Sequence, residues 1–411
     1  MKIVYTQFTN FKWDVDWGIN VSIYAILANL IEVNRTEGTI NMQTVMFLSP
    51  VSFFKGGAER SLFDLMVNPN IKPILVSPDN GPLVEKAKLL GIETHIIPFK
   101  SINTVHRPFS FIKGLSVIKD LTVAAIKLNK LAKKSEVKII HSNGLKAHAV
   151  NCVARMFGGT KAILHIRDIP YTRSEKAVWK ILRTLSDNFV VVSGACWPET
   201  DLPAKVSVVY NGTPLIDNQT IASNVKTEQE TFHVAFIGRI HPAKGLHLLI
   251  DWLAAARARG IPLKLSVRGT FSDDAPGYES EIKSQIIRHN LNNYVTFTGF
   301  ISDPNKLYKD IDLTAVPSII PDPLPRSVME SMARGIPVIG YPAGGIGEMI
   351  IDYQTGFMVK NEIEFENVFE FIRNNTNELS KITLAARKRI EDEFSLPRLH
   401  NKMKMIYSTH V

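Results

Sequence analysis

Along this chain, short runs suited to buried strands alternate with stretches of helical periodicity, and that alternation leaves few architectures open. The strand-like runs fall at 44–48, 73–76, 93–98, 137–141, 162–165 and 189–193. A polar segment, 213–231, follows, and then the alternation restarts, with strands at 232–237, 263–267, 294–298, 313–316 and 338–340 and helices at 245–256 and 327–334. Strands separated by helices pair in parallel, because each crossover returns the chain to the same end of the sheet. The restart predicts two such units. The expected fold is therefore α/β, two doubly wound Rossmann-like domains facing each other across a cleft. The expected domains are 42–215 and 216–390, with 391–411 a C-terminal helix packing back towards the first domain. Residues 1–41, which include Trp13 and Trp17 but no clear period, stand outside the pattern. They read as an N-terminal extension, loosely attached or not native, with Met42 as the expected start.

Charge divides the chain in a similar way. Its 411 residues carry 48 Lys plus Arg against 39 Asp plus Glu, a net charge of +9. Residues 42–222 hold 23 basic and 13 acidic side chains, 223–411 hold 22 of each, and 1–41 hold 3 and 4. The excess lies on the first domain, which predicts different partners for the two halves. With 21% charged and 45% hydrophobic residues, disordered, collagenous and coiled-coil chains are excluded. Only Cys152 and Cys196 occur, which excludes a disulfide scaffold and a cysteine-rich zinc site and makes a reducing cytoplasm the expected location. The apolar run 21–31 is shorter than the ~20 residues that span a bilayer, and Asp14 and Asp16 sit where a signal peptide would be basic.

Parallel sheets bind ligands at the carboxyl ends of their strands, so residues there are the candidates for chemistry. Gly56-Gly57-Ala58-Glu59-Arg60 follows the first strand, and its glycines either let a backbone approach a ligand or form a plain turn. Neither a dinucleotide fingerprint nor a P-loop occurs. In the second unit Gly238-Arg239 ends a strand and Lys244-Gly245 opens the following helix, a guanidinium and an ammonium suited to a pyrophosphate. Prolines 317, 321, 323 and 325 forbid regular structure before Arg326, which places Asp322 on a rigid loop and Glu330 within a helix. Free N–H groups at Ser327 and Val328 suit phosphate oxygens, and Glu330 suits the vicinal hydroxyls of a ribose. His141 and His165-Ile166-Arg167-Asp168 end strands of the first unit. Asp168 is expected either to orient His165 or Arg167 or to cap a helix. Asp14-Val15-Asp16 and Asp310-Ile311-Asp312 are not read as metal sites.

Together, Asp322-x7-Glu330, Gly238-Arg239, Lys244-Gly245 and the downstream Gly344-Gly345-Ile346-Gly347-Glu348 resemble the retaining GT-B glycosyltransferases of family 4. The resemblance implies a nucleotide-sugar donor on the second domain, an acceptor on the first, and transfer with retention and without a metal or other cofactor. It implies that Arg239 and Lys244 bind the diphosphate, that Glu330 holds the ribose and that Asp322 touches the transferred sugar. Gly238, Arg326, Ser327 and Val328 would line the donor, His165 would lie near the transferred sugar, and Gly56, Gly57, His141 and Arg167 would face it from the first domain. Asp322 stands where the family usually has Glu, which leaves the sugar open. With no carboxylate marked as nucleophile, the resemblance implies front-face transfer, the protein contributing orientation and electrostatic stabilisation.

Lysines 113, 119, 127, 130, 133 and 134 interleave with Phe109, Phe111, Ile112, Leu115, Ile118 and Leu121, a pattern of basic amphipathic helices at anionic membranes or of an ordinary outer helix. The expected acceptor is a lipid-linked sugar or a growing bacterial surface polysaccharide, at the inner face of the cytoplasmic membrane. A sugar-nucleotide epimerase of the same architecture and a non-catalytic transferase-like partner are the alternatives. Nucleic acid is not an expected partner, because no stacking aromatics accompany the basic residues.

Overall fold

The computed structural model describes residues 42–54, 56–99, 111–197, 199, 201–216 and 231–410, with side chains of the helix at 111–134 described from Ile118 onward. The extension 1–41, Phe109 and the side chains of Phe111, Ile112, Lys113 and Leu115 lie outside the described residues.

The first sheet contains β1 (Gln43–Leu48), β2 (Ile71–Ser77), β3 (Glu93–Ile96), β4 (Ile139–Asn143), β5 (Lys161–Ile166), β6 (Asn188–Val191) and β7 (Val206–Val208), in the order β3-β2-β1-β4-β5-β6-β7. The second contains β8 (Phe232–Ile237), β9 (Leu263–Arg268), β10 (Val295–Gly299), β11 (Leu313–Val316), β12 (Val338–Gly340) and β13 (Phe357–Met358), in the order β10-β9-β8-β11-β12-β13. All pairings between these strands are parallel. Each sheet reverses its strand order beside its first strand, and the crevice at such a reversal is where parallel sheets place ligands. Strands β7 and β13, of three and two residues, were too short to stand out by periodicity.

Both sheets are buried on both faces, which is why their strands read as continuous apolar runs. In β1, Val45, Met46, Phe47 and Leu48 are wholly enclosed. A third apolar cluster joins the domains, with Leu164, Val191 and Cys196 of the first packed with Val316, Met329 and Ile350 of the second. Helix Thr376–Glu393 then leads the chain back across, and helix Leu396–Ser408 docks on the first domain. Its Leu399, Met403 and Tyr407 complete the cluster around Val45 and Phe47. Thr213 and Ser395 pair as an isolated bridge where the returning chain crosses the outgoing one.

Helix Phe111–Lys134 packs against helix Leu145–Phe157 of the first domain. Ala124, Ala125 and Leu128 face inward with Leu121, whereas Ile118, Val123 and Ile126 are exposed beside Lys119, Lys127, Lys130, Lys133 and Lys134. Among the described residues, no helix is long and apolar enough to cross a membrane.

Because Met403 fills the core of a domain whose strands lie far upstream, Met403→Ala should lower stability by ~2–5 kcal/mol. Urea denaturation followed by circular dichroism checks this, the expected result being a lower midpoint; an unchanged one would mean that the helix is a dispensable appendage.

Candidate functional site

In the second domain the loop leaving β9, the start of the helix after it and the end of β10 line an open cavity of about 680 Å³, with Thr270, Phe271, Ser272, Phe297, glycines 269, 277 and 299 and the charged Asp273, Glu279 and Lys283. Arg239, just past β8, is exposed at its edge and donates from Nη1 to Ser272 Oγ at 3.1 Å and Asp274 Oδ2 at 3.1 Å. Gly238 bridges β8 to this loop, its N–H donating to the Arg268 carbonyl at 3.1 Å.

Lys244 ends a single helical turn, Pro242–Lys244, and its Nζ donates to Asp322 Oδ2. Gly245 follows at φ +71°, and a side chain there would collide with the Pro317 carbonyl, so glycine permits the two loops to touch. The same logic applies at Gly344, φ +63°, whose missing side chain leaves room for the Asp322 backbone. Asp322 is further fixed by the Leu324 N–H, 3.2 Å from Oδ1. The fold thus brings Lys244 and Asp322 together from 78 positions apart. Asp312 accepts the His233 N–H at 2.7 Å, a duty within the sheet. The other Asp-x-Asp string, 14–16, lies outside the described residues.

Helix Arg326–Ala333 departs from the sequence expectation in three places. Val328 is fully buried and its N–H donates to the Pro325 carbonyl at 3.2 Å, so only Ser327 keeps the expected half-exposed place at the helix start. Arg326 does not reach towards the Arg239 loop. Its Nη1 donates to Asp64 Oδ2 at 2.6 Å and Ser61 Oγ at 3.2 Å on the first domain, and its Nε to Glu330 Oε1 at 3.0 Å. Glu330, 9% exposed, accepts the Tyr308 hydroxyl on its other oxygen at 2.9 Å. Burial would raise the Glu330 carboxyl, but Arg326, Arg60 and Arg334 outweigh it and hold it below the usual carboxylate value. Each Glu330 oxygen thus has one protein donor and a second lone pair.

On the first domain, Gly56 starts helix Gly57–Met66 and its N–H donates to Glu59 Oε2 at 2.8 Å. Gly57 faces the Arg326 side chain, which a β-carbon would meet at 3.5 Å. Burial pushes the Glu59 carboxyl above its ordinary value, against two backbone N–H groups and Arg167. Arg167 donates from Nε to Asn143 Oδ1 at 2.5 Å and from Nη1 to Asn211 Oδ1. Burial and the nearby Arg326 lower its pKa to about 10, despite Asp64 and Glu59.

His141 corrects the expectation of a cleft-facing side chain. It and His165 are both 0% exposed, and its Nδ1 lies 2.8 Å from the Tyr407 hydroxyl and its Nε2 3.2 Å from His165 Nδ1. His165 Nε2 and Arg167 Nη2 are shielded from solvent and have no protein partner among the described residues. Asp168 caps nothing, because Thr172 caps helix Arg173–Leu185 by accepting the Glu175 N–H at 3.1 Å.

Several participants had no local signal. Asp64, Tyr308 and the aromatic cavity walls take their roles from contacts between distant elements. Glu348 was noted only as part of a motif; it accepts the N–H groups of Gly194 and Ala195 at 2.9 and 2.8 Å, a second polar tie between domains. Tyr171 adds a third, its hydroxyl donating to the Pro321 carbonyl at 2.7 Å.

Asp64→Ala should cost ~1.5–3 kcal/mol by removing a charge-assisted hydrogen bond from Arg326, which keeps Glu330, and should speed limited proteolysis between the domains. A second prediction concerns acid. Burial, then the Arg167 charge, depresses His148 to about 3 and His165 well below the ordinary value, and His141 likewise. Only the unfolded chain takes up protons near the ordinary value of ~6.5, so stability present above that pH is lost as pH falls, at up to ~1.4 kcal/mol per pH unit for each histidine. Urea midpoints at pH 7, 6 and 5 should decline accordingly, and His148→Asn should flatten the slope.

The glycosyl transferases group 1 family matches residues 217–389. The putative colanic acid biosynthesis glycosyltransferase WcaL of Salmonella typhimurium is 23% identical over 217 residues, 50% of this chain and 52% of WcaL. Against this and several other curated relatives, the chain spans about half the relative's length. The UDP-Gal:alpha-D-GlcNAc-diphosphoundecaprenol alpha-1,3-galactosyltransferase of Escherichia coli is 21% identical over 373 residues, 84% of this chain and 91% of that protein. Among solved structures, Anabaena HepE in complex with UDP superposes with a TM-score of 0.74 at 21% identity, over 89% of this chain and 100% of HepE. Residues 217–389 thus match the glycosyl transferases group 1 model, and the chain as a whole has the GT-B fold of two facing Rossmann-like sheets.

Proposed function

We propose that the protein is a retaining glycosyltransferase of family 4 that moves a hexose from a UDP-sugar to a lipid-linked or polysaccharide acceptor in bacterial surface polysaccharide synthesis. The observation that carries this reading is the aromatic and glycine-walled cavity of the second domain, edged by Arg239 and followed by Lys244. A base stacks against the Phe271–Phe297 pair, whose rings touch each other with centroids 5.7 Å apart, with a diphosphate on Arg239 and Lys244 and the transferred sugar beside Asp322. The names of similar proteins supply the donor and acceptor classes: HepE was solved with UDP, and the Escherichia coli relative carries a diphosphoundecaprenol acceptor in its name.

In this reading the chemistry needs little movement of charge. Asp322 neutralises Lys244 until the donor diphosphate replaces it, and the freed carboxylate turns to a sugar hydroxyl. Arg239 and Lys244 stabilise the departing diphosphate in place of a divalent cation. The leaving phosphate assists the acceptor hydroxyl on the same face, so the new bond keeps the donor's anomeric configuration. The acceptor approaches over the basic first domain, and the exposed Ile118, Val123 and Ile126 with their neighbouring lysines rest on an anionic bilayer, each lysine adding ~1 kcal/mol.

Thermal-shift titration with UDP-, GDP- and ADP-sugars should raise the melting temperature most for one UDP-sugar. With that donor and a diphosphoundecaprenol-linked sugar, Lys244→Ala should lower kcat by ~100-fold or more without a comparable loss of melting temperature, EDTA should leave turnover unchanged, and NMR should show the donor's anomeric configuration in the product. Label recovered only in free sugar or an isomerised nucleotide sugar would indicate an epimerase, and donor binding without turnover a non-catalytic partner. Replacing Lys127, Lys130, Lys133 and Lys134 by Gln should abolish sedimentation with anionic liposomes at low salt.

A further inference from the structure

We propose that Tyr407 and His141 are positioning residues that fix the tautomer of His165, so that His165 presents Nε2–H as a hydrogen-bond donor to an oxygen of the transferred sugar. The inference rests on the proposed reading of His165 as a residue of the donor sugar site. What it adds is a line of side chains leading to His165 from Tyr407 on helix Leu396–Ser408 by way of His141.

The polarity of that line follows from counting protons. Tyr407 is 1% exposed, and its hydroxyl has one recorded partner, His141 Nδ1 at 2.8 Å. If His141 carried its proton on Nδ1, the phenol would accept it and its own proton would be buried without an acceptor. The phenol therefore donates, and His141 Nδ1 accepts. A neutral imidazole has one proton, so that of His141 is on Nε2 and is donated over 3.2 Å to His165 Nδ1. His165 in turn carries its proton on Nε2, the nitrogen that the protein leaves shielded and unpartnered. The reverse polarity would strand a phenol proton in the core, whereas this one leaves, among the described residues, a single N–H unmet, that of a buried ring near the end of β5 which the donor sugar has to reach in the proposed reading.

Neutrality of both rings is enforced from several sides. Burial comes first, and Arg167 on the same strand end adds a fixed positive charge. His148, bonded to Ser142 Oγ at 2.9 Å, is the remaining titratable neighbour from the helix covering β4. No carboxylate hydrogen-bonds to either His141 or His165 among their recorded contacts. Helix Leu396–Ser408 is held in place by a second contact, His400 Nε2 to the Asp64 carbonyl at 2.7 Å. The same helix thus braces the helix that pairs with Arg326 and sets the proton position on His165.

The test is made on the full chain labelled with 15N at histidine, read by long-range 1H–15N correlation spectra. The wild type should show His141 and His165 neutral and protonated on Nε2. Tyr407→Phe keeps the ring in its core but removes the donor; both signals should move towards a tautomer mixture, and kcat for sugar transfer should fall about tenfold, the equivalent of about 1.4 kcal/mol, with KM little changed and the melting temperature largely retained. His141→Gln, which keeps an acceptor and a donor in one side chain, should retain more activity than His141→Leu. A wild-type His165 protonated on Nδ1, or Tyr407→Phe with unmoved tautomers and full kcat, would overturn the relay; if Tyr407→Phe does not fold, the wild-type spectrum alone decides. His165→Ala separates this from the reading beneath it: full transfer by that variant would remove His165 from the sugar site whatever the spectra show.

Discussion

In a sheet whose strands all run one way, each strand must be followed by a crossover, so the loops leaving the carboxyl ends gather along one edge. Two such edges meet here, and the residues with chemistry on them are those at which strands stop. Gly56 follows β1, Asn143 ends β4, with His141 two residues inside the strand rather than at its expected end, and His165 and Arg167 lie at the end of β5, while Arg239 follows β8 and Asp322 lies beyond β11. Between strand ends and helix starts the backbone presents N–H groups with no partner in the sheet, and glycines at 245 and 344 let neighbouring loops approach to contact. The site is therefore less an addition to the fold than the edge that parallel pairing leaves unfinished.

Where the edges approach, charge governs how they fit. Arg326 and Arg167 are close enough for each guanidinium to be felt by the other, and such proximity is tolerable only with anions between them. Asp64, fully buried on the first domain, and Glu330, on the second, supply them. Glu348 does related work with no cation, directing its carboxylate at the N–H groups of a helical turn across the interface. The contact surface thus combines an apolar cluster, which is indifferent to direction, with a few directional polar ties that select one arrangement of the domains.

The architecture was legible in sequence because it depends on local properties: apolar runs, turns and helical periods repeat in order, and a polar interval marks the boundary. The identity of the strand-end residues was legible for the same reason, since a residue closing a buried run must lie at the edge of a sheet. Their partners were not. Arg326 has a carboxylate at i+4, but the stronger tie, to Asp64, spans 262 positions and depends on how the two sheets face each other. His141 and His165 looked alike in sequence, yet one is sealed by Tyr407 and the other keeps a nitrogen unpartnered, a difference decided by a helix more than 260 positions downstream. The cavity beside β9 and β10 went unseen because its two phenylalanines and its glycines read in sequence as core and turn, and its Asp273, Glu279 and Lys283 as ordinary surface charges.

Helix Leu396–Ser408 makes the second domain, in topological terms, an insertion within the first. The first sheet is complete in sequence at Val208, but Leu399, Met403 and Tyr407 of its core come roughly 190 residues later, so at ~5–20 residues per second a ribosome leaves that core open for ~10 seconds or more. During that interval the second domain can form from contiguous sequence while the first waits. His141 is without its phenol and Asp64 without His400 until the end of the helix has emerged, so the half of the site proposed to receive the acceptor matures last. A chain interrupted anywhere between the two domains and this helix would have donor-binding elements but an unsealed first domain, exposed to chaperones and proteases.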